Sequence, residues 1–225
     1  MKDTMTASNG ADYRKRRTKD EKDEKIVAQY LDKYFYPNWT TTSTRNTDKE
    51  TQVAGLDITV VDFKGDEITI DEKAATRWIG RSLTTFSHEV SSIDVTGREY
   101  DGWLLDFDSA SDYLLEVWID DAKDTSLNDY KDITDATIAL VPKKNIWNYL
   151  KKRGIKSAKL KELGSEMRNR NMPYFYYQNL KMTQQTNQQE HAVNILIPRD
   201  SIINNISKYA VRIKDGRITT LRKAF

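Results

Sequence analysis

From Asp20 onward, Ile26, Val27, Tyr30, Leu31, Tyr34 and Phe35 recur at three- and four-residue spacing, and Pro37 ends the run. This spacing predicts an amphipathic helix. The pattern then switches to alternation in Gly55–Val61 and Glu67–Lys73. Side chains on a strand alternate between faces with period two, so Leu56, Ile58, Val60, Ile68 and Ile70 form a core-facing set, while Asp57, Thr59, Thr69, Asp71 and Lys73 form a polar one. The link Phe63-Lys64-Gly65 suits a three-residue hairpin loop with Gly65 in the left-handed conformation, which pairs Asp62 with Asp66 and, counting back, Asp57 with Asp71.

Further along, Ala74–Ile79 reads as a short helix, Thr84–Val90 as a strand, and Gly102–Leu105 and Tyr113–Ile119 as two strands joined by the acidic turn at Asp106–Ser109. Ile146–Leu150 leads into a basic helix broken at Gly154. The aromatic run Met172–Tyr177 reads as a core strand, with base stacking as the alternative. Val193–Ile197 reads as a strand, and 200–209 as a helix capped by Asp200 or Ser201. The sum is an α/β chain with a central mixed sheet of about five strands flanked by helices. We expect a flexible basic N-terminal arm over 1–19, a core over 20–140, and a basic α+β extension over 141–225 packed on that core.

Composition narrows the chemistry. A chain of 225 residues with 38% hydrophobic content can bury a real core, and the absence of cysteine excludes disulfides, thiolate metal sites and cysteine nucleophiles. The two histidines, His88 and His191, are too few for a histidine-rich metal cluster, and His88 reads as structural or surface. No apolar run approaches the roughly 18 residues of a membrane span, and the polar start lacks a signal-peptide core, so the expectation is a cytoplasmic protein with no membrane partner. The net charge of +2 hides an asymmetry. Residues 94–135 carry thirteen acids against three bases, whereas 143–170 carry ten bases against two acids. The second segment, with Lys151, Lys152 and Arg153 at its centre, is a candidate for phosphate contact.

The sharpest chemistry lies in the hairpin. Directly opposed residues on paired strands have Cβ atoms about 4.5–5.5 Å apart, so Asp57 and Asp71 repel each other unless a cation lies between them. A hard cation such as Mg²⁺ takes oxygen ligands and is commonly held by one or two carboxylates plus substrate phosphate. Asp57, a gap of about a dozen residues, and then Asp71-Glu72-Lys73 resembles the PD-(D/E)xK, or restriction-endonuclease-like, nuclease superfamily, with Gly55-Leu56 standing where the namesake proline would precede Asp57. The likeness covers residues 20 to 120.

That resemblance implies a restriction-endonuclease-like core and a Mg²⁺- or Mn²⁺-dependent (endo)nuclease acting on nucleic acid, with DNA as the expected substrate. Asp57 and Asp71 would ligate metal and Lys73 would position the attacking water. Glu24 matches the helix acid by position, with Asp20, Glu21 and Asp23 as competitors, and Glu89 is a further candidate ligand. Arg77 and Arg81 are candidate phosphate clamps, and Gln52 a candidate cleft amide. A homodimer stays open. The alternative is a non-catalytic inhibitor or adaptor on the same scaffold, using the acidic 94–135 region as its binding surface.

Overall fold

The computed structural model describes residues 5–48, 50–51, 55–94, 96–186 and 190–224, with residues 5–17 as backbone only. The chain divides into two compact units that interleave along the sequence. One comprises Met1–Lys22, Ser87–Phe107 and Arg153–Ile197, and the other Asp23–Phe86, Asp108–Lys152 and Pro198–Phe225.

The second unit is built on a seven-stranded mixed sheet. Its strands are β1 (Thr40–Arg45), β2 (Ile58–Asp62), β3 (Glu67–Ala74), β6 (Tyr113–Ala122), β7 (Ile133–Pro142), β11 (Tyr209–Lys214) and β12 (Arg217–Lys223), hydrogen-bonded in that order. Only the β3–β6 pairing is parallel. The helix foreseen from apolar spacing is the second half of α1 (Met5–Tyr34), whose helical backbone extends back to Met5. Its stripe of Ile26, Val27, Tyr30 and Leu31 joins Ile58, Ile70, Leu115, Val117, Ile138, Leu140 and Val211 in one apolar core. Each such side chain contributes about 1.5–3 kcal/mol when fully buried. β7 is buried at nearly every position, the mark of a strand covered on both faces.

The other unit carries a five-stranded sheet in the order β5 (Glu99–Asp101), β4 (Thr85–Ile93), β10 (Val193–Pro198), β9 (Leu180–Gln184), β8 (Tyr174–Tyr177). Helix α3 (Ser157–Asn169) also lies in this unit's sequence, after helix α2 (Lys143–Lys152) of the other.

Architecture is therefore mixed α/β as expected, but with more strands than foreseen, in two sheets instead of one. Several local expectations change. Trp103–Leu105 forms turns, because Gly102 N–H bonds to Val90 C=O and Leu104 N–H to Glu89 C=O, and these bonds fold the segment back on β4. Thr40–Arg45, for which no element was expected, pairs with β2 as strand β1. Ala74–Ile79 shrinks to a 3-10 turn at Thr76–Trp78, since Ala74 still belongs to β3. The 200–209 helix reduces to Arg199–Ser201 and a π-turn at Ile202–Ile206 with no side-chain cap, and Tyr209 begins β11. Among the described residues no helix is long and apolar enough to cross a membrane.

Candidate active site on the β2–β3 hairpin

The hairpin register is the one that alternation implied. Ile58 pairs with Ile70, Val60 with Ile68 and Val61 with Glu67. The turn is closed by Asp62 N–H to Asp66 C=O at 3.0 Å, with Gly65 at φ +90°. Asp62 also accepts the Lys64 and Asp66 N–H groups on one carboxylate oxygen, so this acid shapes the turn. At the open end, Asp57 donates its N–H to Ile70 C=O and accepts the Glu72 N–H on Oδ2 at 2.8 Å. These bonds hold its carboxylate against the end of β3.

Asp71 is almost fully buried, and the Lys73 ammonium lies 2.7 Å from its Oδ1. Burial pushes the Asp57 carboxyl up to about 7. The Glu72 N–H opposes that rise, the Asp71 charge adds to it and Lys73 relieves part of it. For Lys73 the largest influence is burial, which lowers its pKa, but the charge and hydrogen bond of Asp71, with Asp57 and Glu24 behind them, outweigh it and raise the pKa. The lysine is therefore a cation at neutral pH. Asp71 is thus paired with this ammonium, while the half-buried Asp57 feels both charges from nearby.

Gly55 stands close by at φ +75°. A Cβ there would lie 2.9 Å from Ser109 Oγ and 3.5 Å from Asp71 Oδ2, so the chain can pass this point only without a side chain. Ser109 Oγ and Ser111 Oγ in turn accept from Lys143 Nζ at 2.6 and 2.8 Å. The Ser109 hydroxyl, held by Lys143, thus stands across Gly55 from Asp71.

The middle residue of Asp71-Glu72-Lys73 has a different task. Glu72 points to the opposite face of β3, where Arg45 donates to both its oxygens at 3.0 and 3.1 Å and Tyr36 donates at 2.5 Å. Arg45 also bonds to Asp32 and to Ala28 C=O, tying α1 to β1 and β3. Burial, reinforced by the Glu72 charge, raises the Tyr36 pKa and keeps this phenol a neutral donor.

Among the other sequence candidates, Glu24 is exposed on α1 and contributes to the field at Lys73. Glu89 is half-buried on β4, and its carbonyl accepts the Leu104 N–H. Arg77 and Arg81 are exposed, with the Arg81 guanidinium 5.4 Å from the Trp78 ring. Lys151, Lys152 and Arg153 are all exposed. Gln52 lies outside the described residues. His88 is fully buried against Trp103 at 5.1 Å, a structural histidine.

Glu116 was not singled out beforehand. It is fully buried on β6 and is the register partner of Lys73, which puts both on one face of the sheet. A usable signal existed, since a lone acid inside Leu-Leu-Glu-Val-Trp-Ile is rarely buried without a purpose. Lys143, Ser109 and Ser111 carried no such signal. They lie far along the chain from the hairpin.

Some charges of the acidic and basic segments are engaged in ion pairs inside each unit. Glu99 pairs with Arg168 and Asp101 with Lys161, while Asp120 takes both ends of Arg199 at 2.6 and 2.8 Å and Asp135 pairs with Arg212.

Among the described residues no three carboxylates or imidazoles converge as a ready-made metal cage. The hairpin offers two aspartates, a donor set that suits a Mg²⁺ ion completed by waters and phosphate oxygens, and their excess charge is of the sign a cation relieves. Compared with known proteins, the chain matches no protein-family profile, no curated protein and no solved structure.

Proposed function

We propose that this protein is a divalent-metal-dependent nuclease of the PD-(D/E)xK type, hydrolysing phosphodiester bonds in DNA. One observation carries the reading: Asp57 and Asp71 stand together on a half-buried hairpin face with Lys73 beside them, and burial and mutual repulsion push Asp57 up to about 7. Such perturbed carboxylates mark functional sites.

Asp57 and Asp71 would hold Mg²⁺ or Mn²⁺, with Glu24, whose charge acts on Lys73, completing the shell. A bound ion supplies Lewis acidity toward the scissile phosphate and a more acidic water. Lys73, kept cationic by Asp71, has no free base form at neutral pH. Its role is therefore to donate hydrogen bonds, orienting the attacking water and stabilising negative charge as it builds on the phosphate oxygens. Asp71 holds that ammonium in place at 2.7 Å. Lys143, braced by Ser109 and Ser111, adds positive potential at the same rim. Arg77 and Arg81, with the exposed Lys151, Lys152 and Arg153, are the groups we assign to backbone contact with the nucleic acid.

The test is cleavage of plasmid and oligonucleotide DNA with Mg²⁺ or Mn²⁺. Asp57→Asn and Lys73→Ala should each lower the rate about 10²-fold or more while circular dichroism stays native. Cleavage retained by both variants overturns the assignment. A wild-type protein that neither binds Mn²⁺ in calorimetry nor cleaves would instead favour a non-catalytic adaptor.

A further inference from the structure

The aromatic run that reads as a core strand is found at a sheet edge. β8 is the terminal strand of the five-stranded sheet, paired only with β9, and its residues alternate between exposed and half-buried. Phe175 and Tyr177 take the half-buried side. Tyr174 and Tyr176 face solvent, 56% and 62% exposed, with their rings 6.3 Å apart in an edge-to-face contact. Two neighbouring tyrosines left in water contribute little to the core. Their rings are large, rigid and amphipathic, which suits them to contact with a partner.

The surroundings define the partner's chemistry. Across the β8–β9 ladder Tyr176 faces Lys181 and Tyr174 faces Thr183, and the Lys181 ammonium stands 5.0 Å from the Tyr174 ring centre. On β10 the same register continues to Leu196 and Asn194. No Asp or Glu occurs between Glu166 and Glu190, in a chain with 34 acids among its 225 residues. This face thus presents two stacking surfaces, a cation and a hydroxyl, with no carboxylate from β8 or β9 to repel a phosphate.

We propose that the β8–β9 face binds unpaired nucleic acid, with two bases stacked on Tyr174 and Tyr176 and a phosphate held by Lys181. The nucleic-acid partner rests on the nuclease reading of the hairpin, and this face adds a preference for stretches whose bases are not paired. A duplex hides its base faces in its own stack and cannot use the two rings. A protein strand added at the same edge would be held by the β8 backbone and would depend little on these side chains.

Fluorescence anisotropy in EDTA, where no cleavage occurs, tests this with the full chain and a labelled oligothymidine about 15 nucleotides long. Tyr174→Ala and Tyr176→Ala should each weaken binding about fivefold or more, and the pair about thirtyfold or more. The Tyr174→Phe/Tyr176→Phe pair keeps the stacking surface and should bind like wild type. Lys181→Gln should lower the slope of log affinity against log salt by about 0.7. Because both tyrosines are exposed, the alanine variants should fold normally. The proposal is overturned if the alanine pair binds as tightly as wild type, if the phenylalanine pair loses affinity equally, or if the alanine pair's only change is in self-association by sedimentation. Metal-dependent cleavage that persists alongside such a result would leave the hairpin assignment standing.

Discussion

The two faces of β3 hold carboxylates under opposite conditions. On one face Glu72 receives both ends of the Arg45 guanidinium, which it shares with Asp32, and the Tyr36 hydroxyl, so its oxygens are satisfied. On the other, one residue to either side, Asp71 and Lys73 stand with Asp57 nearby and Glu116 buried on the next strand, and burial, with the Asp71 charge adding to it, pushes Asp57 up to about 7. The first arrangement holds the fold together. The second is held in place by the fold, and it makes sense as a seat for something positive. Adjacent positions on one strand can thus divide structure from chemistry, because the pleat sends them into separate environments.

If this division is right, Arg45→Met should act on stability and leave the chemistry alone. It strands Glu72 in a partly buried site, where a lost partner leaves a charge uncompensated, and we expect a loss of about 2–3 kcal/mol in urea unfolding. Cleavage per folded molecule should be unchanged. A specific activity reduced as severely as in Asp57→Asn would erase the distinction between the faces.

Asp57→Asn should do the reverse and stabilise the metal-free protein. The folded Asp57 pKa, about 7, lies above the ordinary aspartate value of 3.8, so the native state binds this proton more tightly than the unfolded chain. The stabilising contribution of the protonated acid is fully present below about pH 4 and is lost as pH rises through 7. The variant's advantage over wild type is accordingly near zero at low pH and grows to about 1–3 kcal/mol above pH 7, after discounting for solvent screening. Thermal melts across this range in EDTA measure it. A flat difference would show that the carboxyl carries no surplus charge.

A smaller effect sharpens the same picture from the loop side. Gly55→Ala combines a left-handed φ of +75° with a Cβ 2.9 Å from Ser109 Oγ. We expect a loss of about 1–2 kcal/mol in stability, together with reduced cleavage, because the displaced loop borders Asp71. Unchanged stability and activity would mean that the loop shifts freely and takes no part in shaping the site.

The hairpin was legible in the sequence because everything that defines it is local. Alternation separates Ile58, Val60, Ile68 and Ile70 from Asp57, Asp71 and Lys73, and a three-residue turn ending in Gly65 sets the register. The helical stripe of Ile26, Val27, Tyr30 and Leu31 was legible for a similar reason, since a period of 3.6 shows within two turns. Other features depend on which strands become neighbours. The parallel β3–β6 pairing brings Glu116 level with Lys73, and Lys143 and the serines approach Gly55 and Asp71 from distant parts of the chain. Sheet order alone makes β8 an edge, and so leaves Tyr174 and Tyr176 in water despite an apolar pattern that suits a core. Short-range sterics and periodicity thus determined the elements and the register of the aspartate pair. Long-range strand pairing, which depends on how whole elements bury their faces, decided which groups gather around that pair and which aromatics remain exposed.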